Sequence, residues 1–259
     1  SPIYKNKIQS FPWMHWRQEL DKSKKLNINI IEWTLDHPNL LKNPIILNTD
    51  KTFKLIKKKK IKIESITCDF FMQKPFFKKK KYSQLFFLKK VISALYDKKI
   101  ILVIPLVDNS SIKSKIEEKI VIKTFLNLYE KIIKFTNIMI CFESDYGPKQ
   151  LKKFISNFPV KNFGINYDTG NSANNGFDLS EEIESYKKRI INVHIKDRIY
   201  KGETKSLGTG DVDFIKLFQK MKKINYKGNY ILQTARSKTN QHFNELNNNL
   251  KYILNASKI

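Results

Sequence analysis

The chain predicts an α/β fold, and among α/β architectures a (β/α)8 barrel whose first strand is missing from this chain. Three observations carry that expectation. Short apolar runs alternate strictly with stretches of helical periodicity, which implies parallel pairing through right-handed crossovers. Polar residues collect just after each apolar run, as they do at the carboxyl ends of barrel strands. Seven such runs can be read, one short of closure, and Ser1 reads as a start just downstream of the absent strand. A doubly wound open sheet is the alternative, but no Gly-rich phosphate loop follows the first run.

Each element has its own signal. Trp13, Trp16, Leu20 and Lys24 follow helical spacing, so a first helix is expected from near Pro12. Residues 29–33 form a short strand carrying Glu32, a helix with Phe53 and Ile56 on one face follows, and residues 61–68 form a strand running into Asp69. Leu85, Leu88, Ile92 and Leu95 mark an amphipathic helix. Residues 100–107 are the most β-like run and end in Asp108-Asn109-Ser110; Ile116, Ile120, Phe125, Leu128 and Ile132 signal the long helix after it. Residues 137–142 make a strand ending on Glu143, and a short helix begins near Pro148. Residues 163–167 and 190–193 are strands ending on Asp168 and His194, separated by a polar, Gly-containing turn and a helical segment. A loop over 202–210, a helix over 213–221, a strand over 230–232 ending on Gln233 and a closing helix from His242 complete the chain.

With 259 residues and 41% hydrophobic content, one domain over 1–259 is expected, because no linker interrupts the pattern. The longest apolar run, 100–107, contains Pro105 and is too short to span a bilayer, and no secretory leader is visible. A cytoplasmic protein without membrane partners is therefore expected. Cys68 and Cys141 both sit in strand-like runs and are expected as buried free thiols. The net charge of +25 invites a nucleic-acid reading. Lys, Asn and Ile are over-used along the whole chain, however, and runs such as 57–60 and 78–81 lie beside predicted helices, where solvated charge is the usual state. Compositional drift is preferred, and nucleic acid is not expected as a partner.

In a barrel, side chains at the strand ends converge on one mouth. Four consecutive ends here bear Glu143, Asp168, His194 and Gln233, an oxygen-rich set with a single nitrogen. Such a set suits one divalent ion, Mn²⁺, Mg²⁺ or Co²⁺, with Zn²⁺ admitted, more than a thiolate-bound structural zinc. An acid after a strand is more often a helix cap, but four in succession weigh against that for the set. Lys196 and Arg198 follow His194, and Arg236 follows Gln233, where they offer contacts to a phosphate or an anionic sugar. The alternative is that Asp197 and these cations form salt bridges at the rim. Gly208 and Gly210 shape a loop whose backbone N–H groups are a lesser phosphate contact. Trp13, Trp16, Trp33 and Phe70–Phe71 are either stacking surfaces for a sugar or core.

The phrases CFESDYGP, NYDTGNSANNGFD, NVHIKDR, LGTGDVDF and YILQTAR, with FPWMHW, INIIEWTLD, SITCDFF and VIPLVDNSS before them, span nearly the whole chain. They resemble the sugar phosphate isomerase/epimerase family, the xylose isomerase-like TIM barrels that also include endonuclease IV. The resemblance implies one divalent ion held by Glu143, Asp168, His194 and Gln233, and a small sugar or sugar phosphate as substrate; a homodimer is admitted. In that family the position of Gln233 is commonly Glu, and it and the residue matching Glu143 act as two acid/base groups on opposite faces of the sugar. Gln ligates through its amide oxygen but carries no proton. The chemistry implied is removal of a proton next to a carbonyl through an enediolate. Glu143 is then the single base of an aldose–ketose isomerisation, or an epimerisation draws its second acid from Glu32 or Asp108.

Two rivals follow. An endonuclease IV-like repair nuclease needs a multi-zinc cluster with many histidines, whereas the chain has only His15, His37, His194 and His242. A barrel that binds a sugar or metabolite without turning it over is kept open by Gln233.

Overall fold

The computed structural model describes residues 10–78, 83–235, 237 and 239–258. They fall into two compact units, one built on Ile3–Ser144 with Asn157–Gly164 and the other on Asp145–Ser156 with Ile165–Ile259.

The first unit runs α1 (Trp16–Lys25), β1 (Ile30–Thr34), α2 (Thr49–Lys58), β2 (Lys62–Thr67), α3 (Ser83–Ala94), β3 (Ile100–Leu106), α4 (Lys115–Lys131) and β4 (Ile138–Ser144). Its strands pair in parallel in that order. Strands covered on both faces lose the in–out alternation of a half-exposed sheet, which is why IILVIPL in β3 is apolar throughout and buried at every position but Ile101. Phe142 in β4 packs edge-on against Phe125 of α4, with ring centroids 5.0 Å apart. That helix opens on Ser114, whose hydroxyl accepts the Glu117 N–H at 3.2 Å while the Glu117 carboxylate reaches back to the Lys113 N–H at 2.7 Å. Its buried stripe is Val121, Phe125 and Leu128. Ile116, expected on that face, is 72% exposed, because at 3.6 residues per turn it lies about 180° round the helix from Phe125.

The aromatic residues near the chain start pack on one another. Phe11 lies 5.0 Å from Trp33, Trp16 lies 5.5 Å from Trp33, and the Trp33 indole N–H donates to Asn43 Oδ1 at 2.8 Å. Phe70 and Phe71 are buried. Trp16, Trp33 and this Phe pair are core. Cys68 and Cys141 are buried free thiols, as expected.

The second unit contains α5 (Pro148–Ile155), β5 (Phe163–Asp168, whose first two residues belong to the first unit), α6 (Thr169–Asn175), α7 (Leu179–Tyr186), β6 (Ile190–Ile195), β7 (Asp197–Arg198), β8 (Thr204–Lys205), α8 (Phe214–Lys223), β9 (Asn229–Leu232) and α9 (His242–Ala256). β5, β6 and β9 are parallel neighbours in that order, and β7 with β8 forms a short antiparallel ladder. Two details depart from the expectation. Residues 169–175, read as a turn, are helical, because the Asp168 carboxylate caps them by accepting the Asn171 N–H at 2.9 Å and Gly176 ends them at φ +68°. The loop expected over 202–210 contains β8. Among the described residues, no helix is long and apolar enough to cross a membrane.

Candidate functional site

Side chains alternate across a strand, so Asn166 and Asp168 share one face of β5, and Asn192 and His194 share one face of β6. The register sets Asn166 opposite Asn192 and Asp168 opposite His194. The result is a block of four polar residues, all buried, on adjacent strands. Buried polar groups persist only when bonded, and these are. Asn192 Nδ2 donates to Asn166 Oδ1 at 2.8 Å, which turns Asn166 Nδ2 toward His194 Nδ1 at 2.9 Å. Which of the two atoms donates follows the tautomer of the ring. The same Nδ1 lies 3.8 Å from Asp168 Oδ2.

Lys196 places its ammonium on that oxygen, with Nζ 2.7 Å from Asp168 Oδ2. Burial by itself pushes the Asp168 carboxyl up; the Lys196 charge and His194 outweigh it and hold the group far below the usual carboxylate range. Thr169 fixes the backbone at Lys196, its hydroxyl donating to the Lys196 carbonyl at 2.6 Å and accepting the Lys196 N–H at 3.0 Å. Gly170 leaves room for the lysine stem, since a Cβ there would lie 2.6 Å from Lys196 Cγ.

The residues after β6 also have partners within the protein. Asp197 is buried; it accepts the N–H groups of Gly208 at 2.8 Å, Gly210 at 2.9 Å and Val212 at 3.2 Å, and forms no salt bridge among the described residues. The loop amides suggested for a phosphate are thus directed at Asp197. Arg198 donates to the Gly202 carbonyl at 2.9 Å and to Asn171 Oδ1 at 3.4 Å. Gln233 follows β9 and gives its N–H to the Ile195 carbonyl at 2.9 Å. His194 pairs with Ile231, so alternation sets Gln233 on the face of His194. Arg236 lies outside the described residues.

In the first unit, Glu143 sits near the end of β4, buried, opposite Pro105 of β3. Glu32 is half-buried in β1 opposite Ser65. Asp108 is exposed in a short turn after β3, with φ +51°. Asp69, which the motif reading passed over, is buried; Thr67 donates to its Oδ1 at 2.8 Å, and Oδ2 has no hydrogen-bond partner among the described residues. Burial raises its pKa to about 7 against the Thr67 bond, with Glu143, Glu32 and Asp36 adding repulsion. Asn166, Asn192 and Thr169 were also passed over. The signal for the two asparagines was the two-residue period in NYD and NVH; nothing local marks Thr169.

Comparison with known proteins places these residues in a wider frame. The family profile described as xylose isomerase-like TIM barrel matches residues 20–254. An uncharacterized protein of Methanocaldococcus jannaschii is 33% identical over 84 residues, a match spanning 31% of this chain and 29% of that protein. A xylose isomerase domain protein from Planctomyces limnophilus superposes with a TM-score of 0.76 at 15% identity, covering 92% of both chains. An L-ribulose 3-epimerase gives 0.75 at 14% identity, over 96% of this chain and 91% of its own. An IolI protein with a bound zinc atom gives 0.74 at 14% identity, over 94% and 93% respectively. At these identities the likeness is one of fold.

Proposed function

This chain belongs to the xylose isomerase-like TIM barrel family, and from that membership we propose that it is a sugar or sugar-phosphate isomerase or epimerase dependent on one divalent metal ion. Strand ends of a (β/α)8 barrel meet at a single mouth, and Glu143, Asp168, His194 and Gln233 are the residues proposed to hold the ion there. One observation carries this most: a buried carboxylate and a buried imidazole stand at matched register on adjacent parallel strands, Oδ2 and Nδ1 3.8 Å apart. The carboxylate already holds a cation, the Lys196 ammonium, so the donor set fits a positive ion. Three oxygens and one nitrogen suit Mn²⁺, Mg²⁺ or Co²⁺, and Zn²⁺ is accepted by the same ligands.

What a divalent ion supplies at such a site is polarisation of the sugar's carbonyl and hydroxyl oxygens. The chain's own residues do the rest. Glu143 takes the proton from the carbon next to the carbonyl and returns it to the carbonyl carbon on the same face, while the hydroxyl proton of the first carbon passes to the former carbonyl oxygen. Gln233 orients oxygens through its amide and carries no proton, which favours aldose–ketose isomerisation; epimerisation requires a second acid, Glu32 or Asp108. Lys196, Arg198 and Arg236 are the groups proposed for an anionic substrate oxygen. A single barrel domain is in keeping with one family match over residues 20–254.

Solvent exchange tests this. In deuterated buffer with Mn²⁺, a panel of keto sugars and their phosphates should include one that loses label from the carbon next to the carbonyl, and Glu143→Gln should abolish the loss while leaving metal bound. The second reading, a barrel that binds its sugar without reaction, is favoured by Gln233; it gains if no member of the panel exchanges and Glu143→Gln leaves ligand affinity intact.

A further inference from the structure

We propose that Lys196 is a built-in counter-cation that competes with the divalent ion for one oxygen of Asp168, an inference that rests on the metal-dependent function proposed above. The two carboxylate oxygens of Asp168 have different tasks. Oδ1 accepts the Asn171 N–H at 2.9 Å and caps α6. Oδ2 is the oxygen that lies 3.8 Å from His194 Nδ1, and it is also the oxygen bonded by Lys196 Nζ at 2.7 Å. An ion that took Oδ2 as a ligand would meet the ammonium on the same atom.

Lys196 is not a surface lysine that has wandered onto an acid. Its side chain is 18% exposed and its carboxylate partner 1%. Thr169 bonds both its N–H and its carbonyl, and its stem runs so close over Gly170 that a Cβ there would lie 2.6, 2.7 and 2.9 Å from Cγ, Cδ and Cβ. The backbone and the stem are both held, and the ammonium is delivered to Oδ2. A buried carboxylate stripped of its cation is costly, so Lys196 keeps the metal-free protein balanced. The divalent ion must displace the ammonium, and affinity for the ion is lower than the ligands alone would give.

The test measures Mn²⁺ binding by calorimetry on the wild type, Lys196→Met and Lys196→Arg. Methionine keeps the stem and removes the charge, so Lys196→Met should bind Mn²⁺ at least tenfold tighter than wild type, while Lys196→Arg stays near wild type. Equal or weaker binding by Lys196→Met overturns the competition and leaves the metal site standing. Absence of Mn²⁺ binding by all three proteins overturns the metal-dependent function and the competition together. The wild type supplies a measurement independent of the variants: the Lys196 ¹⁵Nζ and ¹³Cε resonances should move as Mg²⁺ is titrated to saturation. Resonances that stay in place at saturation, with binding confirmed by heat, contradict the displacement.

Discussion

Asp168 illustrates how one side chain serves two ends: Oδ1 terminates a helix and Oδ2 faces a cation and an imidazole. The helix-cap role that speaks against an acid after a strand being a ligand therefore coexists here with the geometry of one. The placement of Asp168 and His194 at adjacent strand ends was legible because each closes an apolar run. The partner of Lys196 was not, because a four-carbon stem can reach either solvent or a neighbour, and the deciding features are Gly170 and Thr169 on another element. Glu182 is another buried acid, held by Ser172, by Tyr167 at 3.0 Å and by Tyr186 at 3.4 Å. Burial raises its pKa from 4.5 to about 7, against the lowering effect of those hydroxyls. A folded-state pKa above the unfolded one stabilises the fold fully below pH 4.5, and that stability is lost as pH rises through 7. The difference corresponds to about 3 kcal/mol. Urea unfolding of wild type and Glu182→Gln between pH 4.5 and 8 should show the wild type losing stability relative to the variant by up to that amount; parallel curves contradict it.

At the scale of elements, the strands were legible because buried parallel strands are apolar at nearly every position, as in β3. Helix α6 was not: TGNSANN has no apolar period, and its helicity comes from the Asp168 cap and the Gly176 terminus. Nor was β8, whose two residues pair with β7 while Asp197 gathers the following loop. Caps carry measurable weight. Ser114 starts the long helix α4 with a side-chain bond to the Glu117 N–H, so Ser114→Ala should lower stability by about 1 kcal/mol in denaturant titration, while Ser114→Asp should restore it. A Ser114→Ala protein as stable as wild type would mean that the packing of Val121, Phe125 and Leu128 alone sets the helix.

For the whole molecule, 49 Lys and Arg stand against 24 Asp and Glu, and some lysines pair with acids, as Lys98 does with Asp50 and Asp97. The charge should bind polyanions without selectivity: affinity for DNA should fall by orders of magnitude between about 50 and 200 mM salt, with no preference for an abasic site. Metal-dependent incision of abasic DNA would instead revive the nuclease. The barrel was legible from alternation and strand ends; the polar block on β5 and β6 was not, because it depends on the register between them. The most direct test of a single divalent ion at these strand ends is anomalous scattering from crystals soaked in Mn²⁺. One peak within ligand distance of Asp168 Oδ2, His194 Nδ1 and the Glu143 carboxylate is the predicted result. A map with no peak there, or with the ion bound away from Asp168 and His194, contradicts it.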